Sequence, residues 1–155
     1  MQLWVDADAC PVAIKEILFR AAERRQLQTT LVANHAMRVP KSRFVRLLQV
    51  PQGFDVADSR IAQGVQPGDL VITADVPLAA QVVEAGATAL NPRGTLYTAE
   101  NVAEHLSRRD MMDELRSAGL VSGGPPALGK SEIQTFANAL DRYLTRAMQG
   151  GPGTN

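Results

Sequence analysis

The feature that most constrains the fold is a short, largely apolar run at residues 2–5, which ends in two carboxylates and then turns helical. The run is rich in residues that favour β-strands, as is typical of a strand buried on both faces. Asp6 and Asp8 follow it directly, and Pro11 suits an early helical position because its missing N–H is not needed there. Apolar residues then recur at helical spacing. The opening therefore predicts a strand, an acidic turn and a helix over residues 10–25.

The same order of strand, aspartate and proline recurs further along the chain. Residues 69–73 form another run of strand-favouring residues, Asp75 follows it, and Pro77 stands in the first turn of a predicted helix that ends near Gly86. In an open parallel sheet, ligands bind outside the carboxyl ends of the strands. Both groups of aspartates are predicted to lie at that edge.

The remaining elements complete an alternating pattern. Further strands are predicted at residues 29–33, 44–50 and 88–90, and further helices at residues 55–62, 98–106, 111–119 and 131–144, the last opened by a capping box at Ser131. Strands that alternate with helices imply a parallel sheet covered on both faces. We therefore predict an α/β fold of three layers, α/β/α, around a mostly parallel central sheet of about five strands. The connection between the second and third strands is short for a crossover helix.

Composition limits the class of protein. Sixteen Lys and Arg balance sixteen Asp and Glu, so the net charge gives no argument for nucleic-acid binding, which then needs a local basic patch. The single cysteine, Cys10, excludes an internal disulfide, fits a reducing compartment and is interpreted as a small buried packing residue. With 155 residues, the chain is predicted to form one domain over residues 1–149 and a disordered tail over residues 150–155.

Neither a targeting segment nor a membrane span is predicted. The chain does not open with a basic and then apolar leader, and no apolar run approaches the roughly 20 residues that a membrane span needs. We therefore expect a cytoplasmic protein without a membrane partner.

Four carboxylates form the candidate site. The predicted metal ligands and catalytic residues are Asp6, Asp8, Asp58 and Asp75. Carboxylates within a few ångströms raise one another's pKa values, and a divalent cation relieves this repulsion. Mg²⁺ and Mn²⁺ prefer oxygen ligands and keep places for substrate phosphate and water. The cluster therefore predicts a Mg²⁺ or Mn²⁺ site able to stabilise the entering and leaving oxygens of a phosphodiester.

Helix capping is the alternative explanation for these residues. Asp75 is placed to be the N-cap of the helix that follows it, and Asp55 suits the first turn of its own helix because of the helix dipole. Capping explains each carboxylate separately, but it does not explain why the first turn has two.

Basic and amide side chains are candidates for substrate binding. Arg38, Lys41 and Arg43 lie in a segment without acidic residues and are predicted to contact phosphates, although a solvated surface loop explains them equally well. Asn91 and Arg93 follow the fifth predicted strand and are expected to face the same crevice. Their alternative is a tight Asn-Pro turn with a surface arginine.

Several stretches resemble the YaiI/YqxD family of uncharacterised bacterial proteins. They are V-D-A-D-A-C-P-V at residues 5–12, G-F-D-V-A-D at 53–58, G-D-L-V-I-T-A-D-V-P-L-A at 68–79, N-P-R-G at 91–94 and G-G-P at 123–125. The resemblance covers nearly the whole chain in order. This family is generally grouped with the PIN-like and NYN-like nucleases, so the resemblance implies a PIN-like parallel sheet between helices and acidic residues that hold Mg²⁺ or Mn²⁺.

The PIN-like pattern can be carried over one residue at a time. It implies a first-strand carboxylate at Asp6, a helix carboxylate at Asp58 and a fourth-strand carboxylate at Asp75, with Asp8 as an extra. The helix acid of PIN-like proteins is often Glu, so Asp58 reaches less far. The segment at residues 123–126 has no assigned role.

Three functions remain open. The leading one is a metal-dependent phosphodiesterase, nuclease-like, with RNA or another phosphate-containing molecule as substrate. The second is a haloacid-dehalogenase-type phosphatase with Asp6 as nucleophile, Asp8 as general acid and Thr73 as the later hydroxyl. Against it, Ala9 and Cys10 stand where that family usually has Gly-Thr. The third is a non-catalytic module of the same fold that binds RNA or protein.

Overall fold

The fold is taken from a computed structural model that describes residues 1–124 and 126–149. Within these residues, the strands are β1 Leu3–Asp6, β2 Thr29–Ala33, β3 Val45–Gln49, β4 Leu70–Ile72, β5 Thr88–Leu90 and β6 Leu96–Tyr97. The helices are α1 Val12–Arg25, α2 Val56–Gly64, α3 Val76–Glu84, α4 Val102–Ser117 and α5 Lys130–Gln149. None of these described helices combines the length and the apolar character that a bilayer crossing requires. The tail predicted at residues 150–155 lies outside the described residues.

All the strands belong to one sheet, in the order β3-β2-β1-β4-β5-β6. The strands from β1 to β5 pair in parallel, as the alternating pattern predicts. The sheet has six strands rather than about five, because the two residues of β6 pair antiparallel with β5 after the turn at residues 91–94. The strand order reverses direction between β1 and β4, and such a switch point opens a crevice at the carboxyl ends of the strands.

Alternation along the strands assigns side chains to two faces. Leu3 and Val5 pack in the core that contains α1 and α5, whereas Trp4 packs in the core that contains α2 and α3. Helices therefore cover both faces, which confirms the predicted three-layer α/β/α fold. Because the side-chain period of a strand is two, Asp6 continues the row of Trp4 and points to the α2 and α3 face. Thr73, two residues after Val71, falls on the same face.

The connection between β2 and β3 contains no helix over residues 34–44, all of which the structure describes. The segment crosses the α1 side of the sheet, where the Lys15 ammonium lies 3.8 Å from the Met37 sulfur. Met37, Val39 and Phe44 pack against the core of α1 and α5. These three side chains provide the apolar cover that a crossover helix usually supplies.

Two predicted helix boundaries are wrong. A single helix, α4, replaces the two predicted at residues 98–106 and 111–119, and the Glu104–Arg108 and Arg109–Asp113 pairs bridge the predicted break at i, i+4 spacing. The last helix begins at Lys130, so Ser131 is not its N-cap.

Candidate functional site

Three of the predicted site residues lie near one another at the switch point. Asp6 ends β1, Asp58 lies in the first turn of α2, and Asp75 precedes α3 as its N-cap. The charges of Asp6 and Asp75 both act on Asp58, and the Asp58 and Asp75 carboxyl groups are within hydrogen-bonding reach of each other. We refer to Asp6, Asp58 and Asp75 as the aspartate cluster. It unites residues from three separate elements.

The aspartate cluster disfavours full ionisation. The pKa of Asp58 is raised from 3.8 to about 7, first by burial and then by the negative charges of Asp6 and Asp75, the hydrogen bond with Asp75 and the charge of Asp55. Burial also raises the pKa of Asp6; a hydrogen bond from Thr73 lowers it, and the charges of Asp75 and Asp8 raise it. Asp58 therefore exchanges a proton near neutral pH, where general acid–base catalysis is most effective.

Thr73 links the ends of β1 and β4. Its hydroxyl donates to Asp6 Oδ2 at 3.0 Å and accepts from the Asp75 backbone N–H at 3.0 Å. The link follows from strand register: Val5 pairs with Ile72, so the residues that follow them, Asp6 and Thr73, are neighbours on the other face of the sheet. Asp75 Oδ1 accepts from the Leu78 N–H at 2.9 Å, so Asp75 is also the helix cap that the alternative interpretation describes.

Replacing Thr73 with valine keeps the shape of the side chain and removes both hydrogen bonds. We expect the pKa of Asp6 to rise above its wild-type value, because the hydroxyl favours the ionised form. The free energy of unfolding should fall by about 1–2 kcal/mol, since the Asp75 N–H loses its acceptor. Carbon-detected NMR titration and urea unfolding measure the two effects. Thr73→Ser is the matched control, and an identical Asp6 titration in both variants would contradict the assigned role.

Asp8 has hydrogen-bond partners outside the aspartate cluster, although its charge acts on Asp6. Its Oδ2 accepts from the Asn34 N–H at 2.8 Å, and its Oδ1 lies 2.8 Å from His35 Nδ1. Both oxygens thus hold the start of the segment that follows β2. This engagement does not favour Asp8 as a general acid, which the phosphatase alternative requires. The sequence offers no signal for the Asn34 and His35 contacts, because they depend on β1 and β2 being neighbours.

The predicted phosphate-binding segment and the aspartate cluster lie on different faces of the sheet. Arg38, Lys41 and Arg43 are exposed, and among residues 1–124 and 126–149 they have no ion-pair partner. Their segment packs on the α1 and α5 face, whereas the aspartate cluster faces α2 and α3. Phosphate binding by these residues stays a prediction.

Asn91 and Arg93 have structural contacts. Asn91 Oδ1 accepts from the Arg93 N–H at 2.7 Å, and Asn91 Nδ2 donates to the Tyr97 hydroxyl at 3.1 Å. The Arg93 guanidinium donates to the Pro126 carbonyl oxygen. A Cβ on Gly94, whose φ is +97°, would lie 2.8 Å from the Thr135 side chain, so the turn also packs closely on α5. The Asn-Pro turn of the alternative interpretation is therefore present, and a role in substrate binding stays a prediction.

Cys10 is buried in the core of α1 and α5. Burial raises the pKa of its thiol to about 12. A thiol in this state packs as a small apolar residue and is not an activated nucleophile.

A cavity of about 710 Å³ adjoins the aspartate cluster. Asp58 and Asp75 line it, together with Phe54 and with Arg109 from α4. Its volume is in the range of small-molecule sites. Sequence reasoning missed Phe54 and Arg109, since neither stands in a pattern of recognisable chemistry. Another cavity, of about 720 Å³, lies between α1 and α5 on the opposite face, away from the cluster.

The donor atoms of the aspartate cluster fit a hard cation in their chemistry. Carboxylate oxygens are the ligands that Mg²⁺ and Mn²⁺ prefer. Among the described residues, however, no three His, Cys, Asp or Glu side chains surround a common point as a complete ligand set. Mg²⁺ usually takes only one or two carboxylates and fills its other positions with water and substrate phosphate. The cluster offers a partial ligand set of that kind.

The fold and the site together define a class: a three-layer α/β protein with a carboxylate cluster at the switch point of its sheet. Comparison with known families identifies the particular family. Residues 4–146 match the family described as "Uncharacterized BCR, YaiI/YqxD family", and the chain belongs to it. This confirms the resemblance described above.

Relatives of high identity carry the name "UPF0178 protein". The one from Hydrogenovibrio crunogenus is 62% identical over 146 residues, which cover 94% of this chain and 97% of the relative. Those from Shewanella loihica and Janthinobacterium sp. are 60% and 58% identical over 146 and 151 residues, covering 94% and 97% of this chain and 97% and 100% of the relatives. No solved structure matches the chain. The grouping with PIN-like nucleases stays a prediction.

Proposed function

We propose that the protein is a divalent-cation-assisted phosphodiesterase that acts on RNA at the aspartate cluster. The observation that supports this most is that Asp6, Asp58 and Asp75 lie near one another at the switch point, where burial and then the charges of the other two carboxylates raise the pKa of Asp58 to about 7. Close like charges are unfavourable unless a proton or a cation lies between them. A catalytic site uses such an arrangement, and three independent helix caps do not require it. The choice of RNA comes from the resemblance to PIN-like nucleases.

Each member of the aspartate cluster has a separate task in this proposal. A bound Mg²⁺ or Mn²⁺ supplies positive charge to the oxygens of the scissile phosphate. Asp6 and Asp75 are the carboxylates proposed to hold the cation, and Thr73 fixes the orientation of Asp6. Asp58, with a pKa near neutrality, takes a proton from the attacking water or returns one to the leaving oxygen. Asp8 is left out because both of its oxygens are engaged.

Calorimetric titration with Mn²⁺ tests the cation site directly. We expect the wild type to bind Mn²⁺ and the Asp6→Asn, Asp75→Asn double variant to give no heat above dilution. Asp110→Asn is the control, because Asp110 is an exposed acid on α4 that pairs with Arg109 and is not a member of the cluster. Equal, negligible heats for wild type and double variant would contradict the proposed site.

Cleavage of a fluorescently labelled single-stranded RNA tests the activity. We expect cleavage only with Mg²⁺ or Mn²⁺, and a rate at least about 100-fold lower in the double variant, as is typical when groups that transfer protons or stabilise charge are removed. RNA binding that survives loss of the carboxylates, without cleavage under any cation, would instead support the non-catalytic module.

A further inference from the structure

Phe54 is the most exposed large apolar residue of the described chain, at 95% of its surface. Single exposed apolar residues are ordinary on protein surfaces. Phe54, however, lines the same cavity as Asp58 and Asp75. A phenyl ring free of internal packing therefore stands beside the proposed reaction site.

The backbone presents this ring on a turn next to the aspartate cluster. Gly53 has a φ of +149° and Asp55 a φ of +61°, both in the region that favours glycine. Asp55 occupies the N-cap position of α2, but its side chain makes no capping hydrogen bond. The chain thus turns sharply at Phe54 and enters the helix that carries Asp58 within one turn.

Arg109 is the one basic residue in the described lining of the same cavity, which also has the acids Asp55, Asp58, Asp75 and Glu84. Within the part of the chain that the structure describes, its guanidinium pairs with the exposed Asp110 at 3.2 Å and the partly exposed Asp113 at 3.3 Å, both on α4. Exposed pairs of this kind are weak and exchange readily. A phosphate competes well for such a guanidinium, because it offers two oxygens to the planar donor group.

We propose that this cavity binds one unpaired nucleotide of a single-stranded nucleic acid, with its base stacked on Phe54 and a phosphate beside Arg109. The choice of ligand rests on the proposed function. Every base has a π-face, so stacking on an aromatic ring tolerates sequence. A paired base has both faces covered by its neighbours in the duplex. Phe54 therefore selects single strands over duplexes.

A Phe54→Trp variant reports stacking directly. The wild type has one tryptophan, the buried Trp4, so the variant adds a single exposed indole. We expect a short single-stranded RNA to quench the added emission, and a DNA strand of the same sequence to do so too, since stacking does not use the 2′-hydroxyl. An abasic strand of equal length should not quench. Leu120→Trp is the control, because Leu120 is 70% exposed and does not line the cavity.

Binding affinity provides the second measurement. Without divalent cations, we expect Phe54→Ala to bind single strands about tenfold or more weakly than the wild type, as is typical for loss of one stacked base, and Phe54→Tyr to bind as the wild type does. Duplex binding should be equal in all three proteins. Unchanged single-strand affinity in Phe54→Ala, or quenching of Phe54→Trp by abasic and base-containing strands alike, would overturn the inference. Quenching of Phe54→Trp by neither strand would overturn it too, and is the result that docking of a protein partner on Phe54 predicts.

The inference and the proposed function fail in different ways. If single strands bind in a Phe54-dependent way but are not cleaved with any cation, the proposed hydrolysis is wrong and the proposed stacking is supported. If single strands are cleaved with a divalent cation at the same rate by Phe54→Ala and the wild type, the proposed hydrolysis is supported and the proposed stacking is wrong.

Discussion

At pH 8, the Asp58→Asn variant is expected to have a higher free energy of unfolding than the wild type, and the difference should vanish below about pH 4. A carboxyl whose pKa is higher in the folded chain binds the extra proton when folded, between the unfolded and folded pKa values. The free energy of unfolding then falls as the pH rises through that window. For Asp58 the window extends from 3.8 to about 7, and asparagine has no proton to lose.

Urea unfolding of both proteins at pH 4, 6 and 8 measures this difference. The Asp110→Asn variant is the control, because it removes an acid of α4 that is not in the aspartate cluster. A stability difference between Asp58→Asn and wild type that stays constant with pH would show that the pKa of Asp58 is not raised in the folded chain.

The same Asp58→Asn variant should lose RNA cleavage by at least about 100-fold, as expected for removal of a general acid or base. A gain in stability with a loss of activity is typical of residues that folding alone does not favour. If the variant is more stable and still cleaves RNA at the wild-type rate, the proton-transfer role of Asp58 is wrong.

The second large effect is expected at Asp69. This carboxylate precedes β4 and therefore lies at the amino end of that strand, whereas the aspartate cluster lies at the carboxyl ends. Asp69 is 4% exposed, its Oδ1 accepts from the Gln2 N–H at 2.9 Å, and its Oδ2 accepts from Trp4 Nε1 at 3.1 Å and from the Gln66 N–H at 2.9 Å. Asp69→Ala leaves these donors without their acceptor. We expect the free energy of unfolding to fall by about 3 kcal/mol, because buried unsatisfied donors cost about 1–3 kcal/mol each and part of this cost is relieved by water.

Urea unfolding followed by the fluorescence of Trp4 measures the effect of Asp69→Ala, since Trp4 is the single tryptophan of the chain. Asp69→Asn, which keeps one acceptor oxygen, should lose less. Equal stability of Asp69→Ala and wild type would contradict the bonding role, and RNA cleavage per folded molecule should be unchanged in both variants.

The carboxyl ends and the amino ends of the strands differ in how much of their surroundings the sequence could predict. Asp6 and Asp75 follow strand-like runs, and parallel strands place their carboxyl ends together, so local pattern and topology suffice to bring these two near each other. Asp58 follows no strand; its prediction rests on a short helix near both strand ends and on the PIN-like pattern, and the helix that carries it contacts β1. Asp69 differs from Asp6 and Asp75 in that it precedes its strand. The residues that donate its three hydrogen bonds could not be predicted from the local sequence pattern.

The other differences between the sequence predictions and the structure arise from contacts between residues that are far apart in the chain. Asp8 has the same sequence environment as Asp6, yet the chain after β2 binds it. The two residues of β6 are too few for a periodic pattern, and the turn at Asn91 determines their pairing. Residues 34–44 contain cations that suggest a phosphate site, whereas their apolar members determine on which face the segment lies.

The outermost strands have a consequence for how the protein behaves at high concentration. A sheet edge exposes unpaired N–H and C=O groups, which recruit strands from other molecules. Here one edge is β6, only two residues long, and the other is β3, whose exposed Arg46 donates from Nε to the Thr30 hydroxyl at 2.9 Å and keeps a charge at that border. Both borders are thus poor templates for intermolecular sheet growth, which disfavours fibrous aggregation.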